Sequence, residues 1–170
     1  MATFTRPEDL EDRMAFYELG DKYERAFVKK MRRKKYNVQI NPEKETNKTA
    51  IDLLWDGDLV ELKTRRTPFF KAGGYKVNPD YAVTLNRKDI DTYSKMNDLE
   101  IVFWVKWSAQ TRYGVAVNSI NGIWTTTVRD IKKMIEAGAP EHTYQRRILD
   151  NRVNAKVSYL LDLQQMERIL

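Results

Sequence analysis

The sequence contains no cysteine and a single histidine, His142. Absence of cysteine excludes a disulfide framework, thiolate zinc sites, iron–sulfur clusters and cysteine nucleophiles. A lone histidine excludes sites built on paired histidines. His142, just after Gly138 and Pro140, is expected to be structural. No apolar run approaches the ~18 residues that a membrane-spanning helix needs. The start, Met1 to Leu10, is mixed polar and acidic, so no secretory signal is visible. The expected setting is the cytoplasm, that of the host if the chain is viral, with no membrane partner. Carboxylates, lysine, tyrosine, hydroxyls and hard metal ions are what is left for any catalysis.

What is present is a charged, moderately apolar chain of 170 residues. Lys and Arg number 30 against 24 Asp and Glu, a formal net charge of +6, and 42% of residues are hydrophobic. That apolar share excludes wholesale disorder. The length favours one domain, with a core over about 8–118 and a helical extension over about 119–170. The basic excess is compatible with nucleic acid, an anionic membrane surface or neither.

The first helix is expected from Pro7 to Lys35, with Thr5 to Glu8 as a capping box and Gly20 as a point of bending or breakage. A strand follows at Tyr36–Ile40, then a polar loop from Asn41 to Lys48. The runs Ala50–Trp55 and Leu59–Lys63 flank Asp56-Gly57, a strong hairpin signal. Arg65 to Tyr81, with Pro68, Gly73, Gly74 and Pro79, reads as a long loop. A helix is expected over Arg87–Met96 with Asn86 as its cap, and a buried strand over Ile101–Trp107. Tyr113–Val117 is its expected partner, and Val128–Ala137 a helix capped by Thr127. The order of elements predicts a mixed α/β or α+β fold.

The hairpin yields the sharpest inference. Its register places Trp55 opposite Asp58, Leu54 opposite Leu59, Leu53 opposite Val60, and Asp52 opposite Glu61. Strand side chains alternate, so Glu61 and Lys63 share a face, and Asp52 joins them. Opposed carboxylates have Cβ atoms roughly 4.5–5.5 Å apart and destabilise the pair unless compensated. Lys63 can supply part of the counter-charge and a divalent cation the rest. A solvated charge network is the alternative. Leu54 and Leu59 beside the carboxylates favour a cleft wall instead. Glu24 lies seven residues after Tyr17 and seven before Met31, on the apolar side of the first helix. An inward carboxylate is costly unless paired. Glu24 is therefore either a third acid directed at a metal or an edge residue bonded to Tyr23, Arg25 or a lysine.

Gly20-Asp21-Lys22-Tyr23-Glu24, Lys35-Tyr36-Asn37-Val38, Ile51-Asp52 and Val60-Glu61-Leu62-Lys63-Thr64 together resemble the PD-(D/E)XK nuclease superfamily in order and spacing. The pattern there is a helix Glu, an Asp on the second strand and a Glu-x-Lys on the third. Ile51 stands where that pattern has Pro. Within the superfamily the chain is most similar to archaeal-type Holliday junction resolvases and related phage and prokaryotic endonucleases. The likeness covers residues 20–64; residues 65–80 and those past about 118 lie outside it. The resemblance implies a restriction-endonuclease-like αβββαβ core, with a central mixed sheet flanked by helices. It implies Mg²⁺- or Mn²⁺-dependent hydrolysis of DNA phosphodiesters. Asp52, Glu61 and the Leu62 carbonyl would hold one or two ions, Glu24 would contribute directly or through water, and Lys63 would orient the attacking water.

A polyanion needs holding beyond the reacting centre. Arg65, Arg66, Lys71 and Lys76 interleave with Phe69 and Phe70, so phosphates would meet the cations and bases the rings. Lys29, Arg32 and Arg33 form a second cationic run, which the helix dipole alone could also explain. Arg146, Arg147, Arg152 and Lys156 suit either DNA or a dimer interface. The expected partner is DNA, branched DNA included. Matched incisions across a two-fold substrate imply a homodimer. Rival readings are a restriction-like or repair nuclease on linear duplex or single strands, a non-catalytic nucleic-acid-binding protein, and a basic protein-interaction domain.

Overall fold

A computed structural model describes residues 13–143 and 156–170. The fold is mixed α/β, with a mixed multi-strand sheet and helices. The single domain expected from length divides into two compact units, residues 1–62 and 63–170. The boundary falls inside one strand.

In the first unit, α1 (Arg13–Arg33) runs unbroken through Gly20. The capping box expected at Thr5–Glu8 lies outside the described residues. Phe27, Val28 and Met31 recur at helical spacing and are buried. The helix stops two residues earlier than expected because Lys35 turns left-handed, at φ 66°. The Tyr36 and Lys35 N–H groups then donate back to the Met31 and Arg32 carbonyls. This pattern closes a helix with a glycine-like residue, here a lysine. The strands β1 (Val38–Ile40), β2 (Leu53–Trp55) and β3 (Asp58–Arg65) pair antiparallel in sequence order. Leu53 faces Val60, Leu54 faces Leu59 and Trp55 faces Asp58, the register read from the Asp56-Gly57 turn. Asp56 and Gly57 have φ of 50° and 87°. Two successive positive values match the twist of a tight hairpin. Val38, Leu53 and Val60 are buried on the strands, and Trp55 adds edge contacts with Tyr36 and Phe27.

In the second unit, the long loop expected over 65–81 contains a 3₁₀ turn, Phe70–Tyr75. Next come β4 (Ala82–Asn86) and α2 (Arg87–Thr92), which is shorter than expected. Asn86 does not cap α2 with its side chain; its Oδ1 accepts the Ser158 hydroxyl at 2.9 Å instead. The strand β5 (Glu100–Trp107) is apolar on both faces and needs a full-length partner. Tyr113–Val117 cannot supply one. Tyr113 and Gly114, at φ 52° and 74°, form the turn of a separate hairpin, β6 (Gln110–Arg112) with β7 (Val115–Val117). The partner is β8 (Ile120–Thr127), antiparallel along its whole length.

Beyond β8 lie α3 (Val128–Glu136), β9 (Glu141–Thr143), β10 (Val157–Asp162) and β11 (Glu167–Arg168). Thr127 caps α3 as expected, its Oγ1 accepting the Asp130 N–H at 3.1 Å. The extension expected to be helical over 119–170 instead holds four strands, β8 to β11, beside the single α-helix α3 among its described residues. Trp124-Thr-Thr-Thr127 and Val157-Ser-Tyr-Leu-Leu161 are rich in β-branched and large residues with alternating burial. β11 borders β8, while β4, β10 and β9 form a separate sheet in that order. Arg146, Arg147 and Arg152 lie outside the described residues, and Lys156 is exposed. Among the described residues no helix is long and apolar enough to cross a membrane.

Gly122 in β8 admits no side chain. A Cβ there would lie 2.7 Å from the Trp124 ring and 2.8 Å from the Leu170 carbonyl oxygen. Gly122→Ala is expected to cost about 1–3 kcal/mol, read as a lower urea midpoint. An unchanged midpoint would contradict this packing.

Candidate functional site

Three segments of the first unit converge on one buried cluster of charge. Glu24 lies on α1 one turn before Phe27 and Val28, so the turn that buries them carries its carboxylate inward. Asp52 immediately precedes β2. Its backbone carbonyl accepts the Asn41 N–H at 2.9 Å, and its Oδ2 accepts the Leu62 N–H at 2.9 Å. Between β1 and β2 the chain makes a 3₁₀ turn, Pro42–Glu45. Asn41 caps it, accepting the Glu43 N–H on its side-chain oxygen and donating from Nδ2 to the Ile51 carbonyl at 2.8 Å. Pro42 sits at the first position of the turn, where its missing N–H costs nothing. This capped turn delivers Lys44 inward while its neighbours Glu43 and Glu45 stay exposed.

The Lys44 Nζ lies 2.6 Å from Glu24 Oε1 and 2.7 Å from Asp52 Oδ1. The three side chains are only 10–13% exposed. Glu24 is therefore inward-facing and paired with a lysine, one of the two readings open from sequence. Glu61 is also buried, at 6% exposure. The acidic face of the hairpin is thus interior and not a solvated charge network. Burial, and next the charge of Asp52, push the Glu24 carboxyl up to about 8. For Lys44 burial alone would favour the neutral amine, but the Asp52 charge and the hydrogen bonds it donates to both carboxylates outweigh it, and its proton is held more tightly than usual.

Lys63 opens the second unit. Its Nζ donates to Asp89 Oδ2 on α2 at 2.9 Å. Lys44, not named from the sequence, is a counter-charge on Asp52. Among the described residues no three Asp, Glu or His side chains form a group able to hold a metal ion. Glu24 and Asp52 nonetheless direct one oxygen each at a single point, the Lys44 Nζ. Two hard oxygen donors aimed at one cationic atom suit a divalent ion in chemistry, so the pair fits a metal as a two-carboxylate site.

The basic residues divide into those that are free to meet a ligand and those built into the fold. Lys29, Arg32 and Arg33 join Arg25 around a groove of about 500 Å³ on α1, floored by Val28 and Ile40. Arg32 is oriented there by its Nε, which donates to the Val38 carbonyl at 2.9 Å. Arg65 is anchored on the Thr84 and Thr64 carbonyls, and Arg66 lies over the Trp104 ring at 4.2 Å. Phe70 is buried, and Phe69 packs its ring 4.8 Å from that of His142. Phe70 is thus withdrawn into the fold, while Phe69 is half-buried. Lys71 and Lys76 are exposed. His142 is structural as expected: its Nδ1 bonds the Tyr75 hydroxyl at 2.9 Å, and burial followed by the Lys71 charge lowers its pKa.

Lys44 and Asn41 were not singled out as site residues from the sequence, Arg25 was named only as one partner open to Glu24, and Asp89 only with Asn86 in the expected cap of α2. For Lys44 a signal existed. Asn41-Pro42 is a helix-start signature, and Asp52 needed a nearby cation. The bond of Asp89 to Lys63 had no local signal, because their meeting depends on tertiary structure.

Searches against known protein families, curated proteins and solved structures bear on identity. The chain matches none of them.

The buried Glu24 predicts a pH signature. Its folded value, about 8, exceeds the model-peptide value of 4.5. A carboxyl raised in this way favours folding at low pH, and the benefit is lost as pH rises through the folded value. In buffer with a chelator, stability should fall between about pH 4.5 and about pH 8. Glu24→Gln should flatten that window in thermal melts. Persistence of the slope in Glu24→Gln would contradict the assignment.

Proposed function

We propose that the chain is a metal-dependent DNA endonuclease that hydrolyses phosphodiester bonds, selective for branched structure in the manner of Holliday junction resolvases. The observation that carries this reading is the buried pair of carboxylates, Glu24 and Asp52, converging on one cationic atom. Folding rarely retains two such acids in the interior without a function for them. Their order along the chain, followed by Glu61 and Lys63 on β3, is that of the PD-(D/E)XK pattern.

When bound, Mg²⁺ or Mn²⁺ would be held by Asp52 and Glu24, and would supply a bound water of lowered pKa and neutralise charge on the phosphate; Glu61 and the Leu62 carbonyl are donors that the resemblance alone adds. Asp52 is fixed for this by the Leu62 N–H on its other oxygen. Lys63, positioned by Asp89, orients the attacking water and meets the charge that grows on the phosphorus oxygens. The Arg25, Lys29, Arg32 and Arg33 groove binds backbone phosphates. The reading includes a cytoplasmic homodimer that places two such sites on one substrate.

A second reading, a non-catalytic nucleic-acid-binding protein, is favoured by one observation. Lys44 already bridges the acid pair and supplies a cation there, so the fold stands without a metal. Cleavage separates the two. With Mg²⁺, four-way junction DNA should be cut in preference to linear duplex and single strands. Asp52→Ala, Glu61→Ala and Lys63→Ala should each lower the rate by at least about a hundredfold while circular dichroism stays native. Full activity in a chelator would overturn the metal mechanism. Preference for linear duplex would leave the hydrolysis and remove the junction selectivity.

Binding should also weaken steeply with salt as counterions are released. The double variant Arg25→Gln, Lys29→Gln should reduce the slope of log K against log salt by about two. An unaltered slope would show that the α1 groove does not meet phosphates.

A further inference from the structure

We propose that Lys44 is a tethered counter-ion which a divalent metal displaces from between Glu24 and Asp52, so that metal loading and release of Lys44 are one event. The inference rests on the nuclease reading only in taking the acid pair as the metal's seat. It adds a device that the resemblance does not contain.

Geometry makes the two cations mutually exclusive. The ammonium touches one oxygen of each carboxylate, at 2.6 Å and 2.7 Å. An ion bound by both oxygens needs the place that Nζ holds, and two cations cannot share it. Without either one, the buried Asp52 carboxylate would be left without a counter-charge beside the Glu24 carboxyl, a costly arrangement for a folded chain. Lys44 thus lets the acids remain buried and the fold remain intact before a metal arrives.

The local structure also suits departure. Among residues 42–48 only Lys44 is buried; the rest are exposed. Its ammonium is therefore a side chain's length from water. The stem has four rotatable carbons, and rotation about them frees Nζ while leaving the Asn41-capped turn in place. The cap bonds, from Glu43 N to Asn41 Oδ1 and from Asn41 Nδ2 to the Ile51 carbonyl, involve no atom of Lys44. By contrast Lys63 is tied to Asp89 through a separate bond. The chain therefore divides its lysines between two tasks: one fills the cation seat until the metal comes, and the other serves the phosphate.

The test reads lysine reactivity and metal affinity, independently of cleavage. Metal-stripped full-length protein is titrated with Mn²⁺ to millimolar concentration and pulsed with an acylating reagent, and modification of Lys44 is followed by mass spectrometry with exposed Lys48 as reference. Acylation of Lys44 should rise several-fold as Mn²⁺ saturates, while Lys48 stays constant. Lys44→Met, if folded, should bind Mn²⁺ about tenfold tighter or more in calorimetry, its competitor gone. No rise in Lys44 acylation over the titration overturns the proposal, and so does equal or weaker Mn²⁺ affinity in a folded Lys44→Met protein. If that variant does not fold, the acylation result decides alone. A rise in acylation with no cleavage of any DNA keeps the displacement and removes the nuclease; metal-dependent cleavage without the rise does the reverse.

Discussion

The contact of Lys44 with Glu24 and Asp52 adds a buried ionic link between parts of the first unit that also meet through strand pairing and the apolar core. One carboxylate comes from the middle of α1, the other from the start of β2, and the ammonium from the turn between β1 and β2. All are nearly shielded from water, so each charge depends on the others. Removing one partner of such a buried set typically costs about 3–5 kcal/mol, because the charge left behind has lost its water and its counter-charge. Replacing all three by apolar groups would cost far less. Stability alone does not explain why the charges are there, and function is the more economical account.

Several ordinary local devices exist to make that contact. The left-handed Lys35 ends α1 and sends the chain directly into β1. Asn41 closes β1, caps the turn and grips the chain on both sides of Asp52. The Asp56-Gly57 turn sets the register of β2 on β3, which brings the Leu62 N–H to the second oxygen of Asp52. Each device is a backbone constraint of the usual kind. Their joint effect is to hold a side-chain arrangement that the hydrophobic core by itself would oppose.

The acids were legible in the sequence because their signals are local. A two-residue turn fixes register for the whole hairpin, so Asp52 and Glu61 could be placed from Asp56-Gly57 alone. Glu24 was legible as inward from its spacing to Met31 along a single helix. Other features depended on long-range pairing. β5 met β8 because the nearer segment was occupied by its own hairpin turn at Tyr113-Gly114. Strand pairing of residues 157–162 with 82–86 spans most of the second unit and leaves no mark in local periodicity. Phe69, Phe70, Arg65 and Arg66 looked like a nucleic-acid loop by composition; in the fold Phe70 is buried, Arg65, Arg66 and Phe69 are half-buried with partners of their own, and Lys71 and Lys76 are exposed. Composition describes what a segment could bind; burial decides what is left to bind it.

The central claim is that the point between Glu24 Oε1 and Asp52 Oδ1 is a cation seat, held by Lys44 until a metal takes it. A crystal structure of the protein grown with Mn²⁺, with anomalous data collected near the manganese edge, addresses that claim directly. An anomalous peak between the two carboxylates, with the Lys44 side chain turned away from them, is the predicted result. Lys44 still bridging Glu24 and Asp52, with no peak there at saturating Mn²⁺, would contradict it.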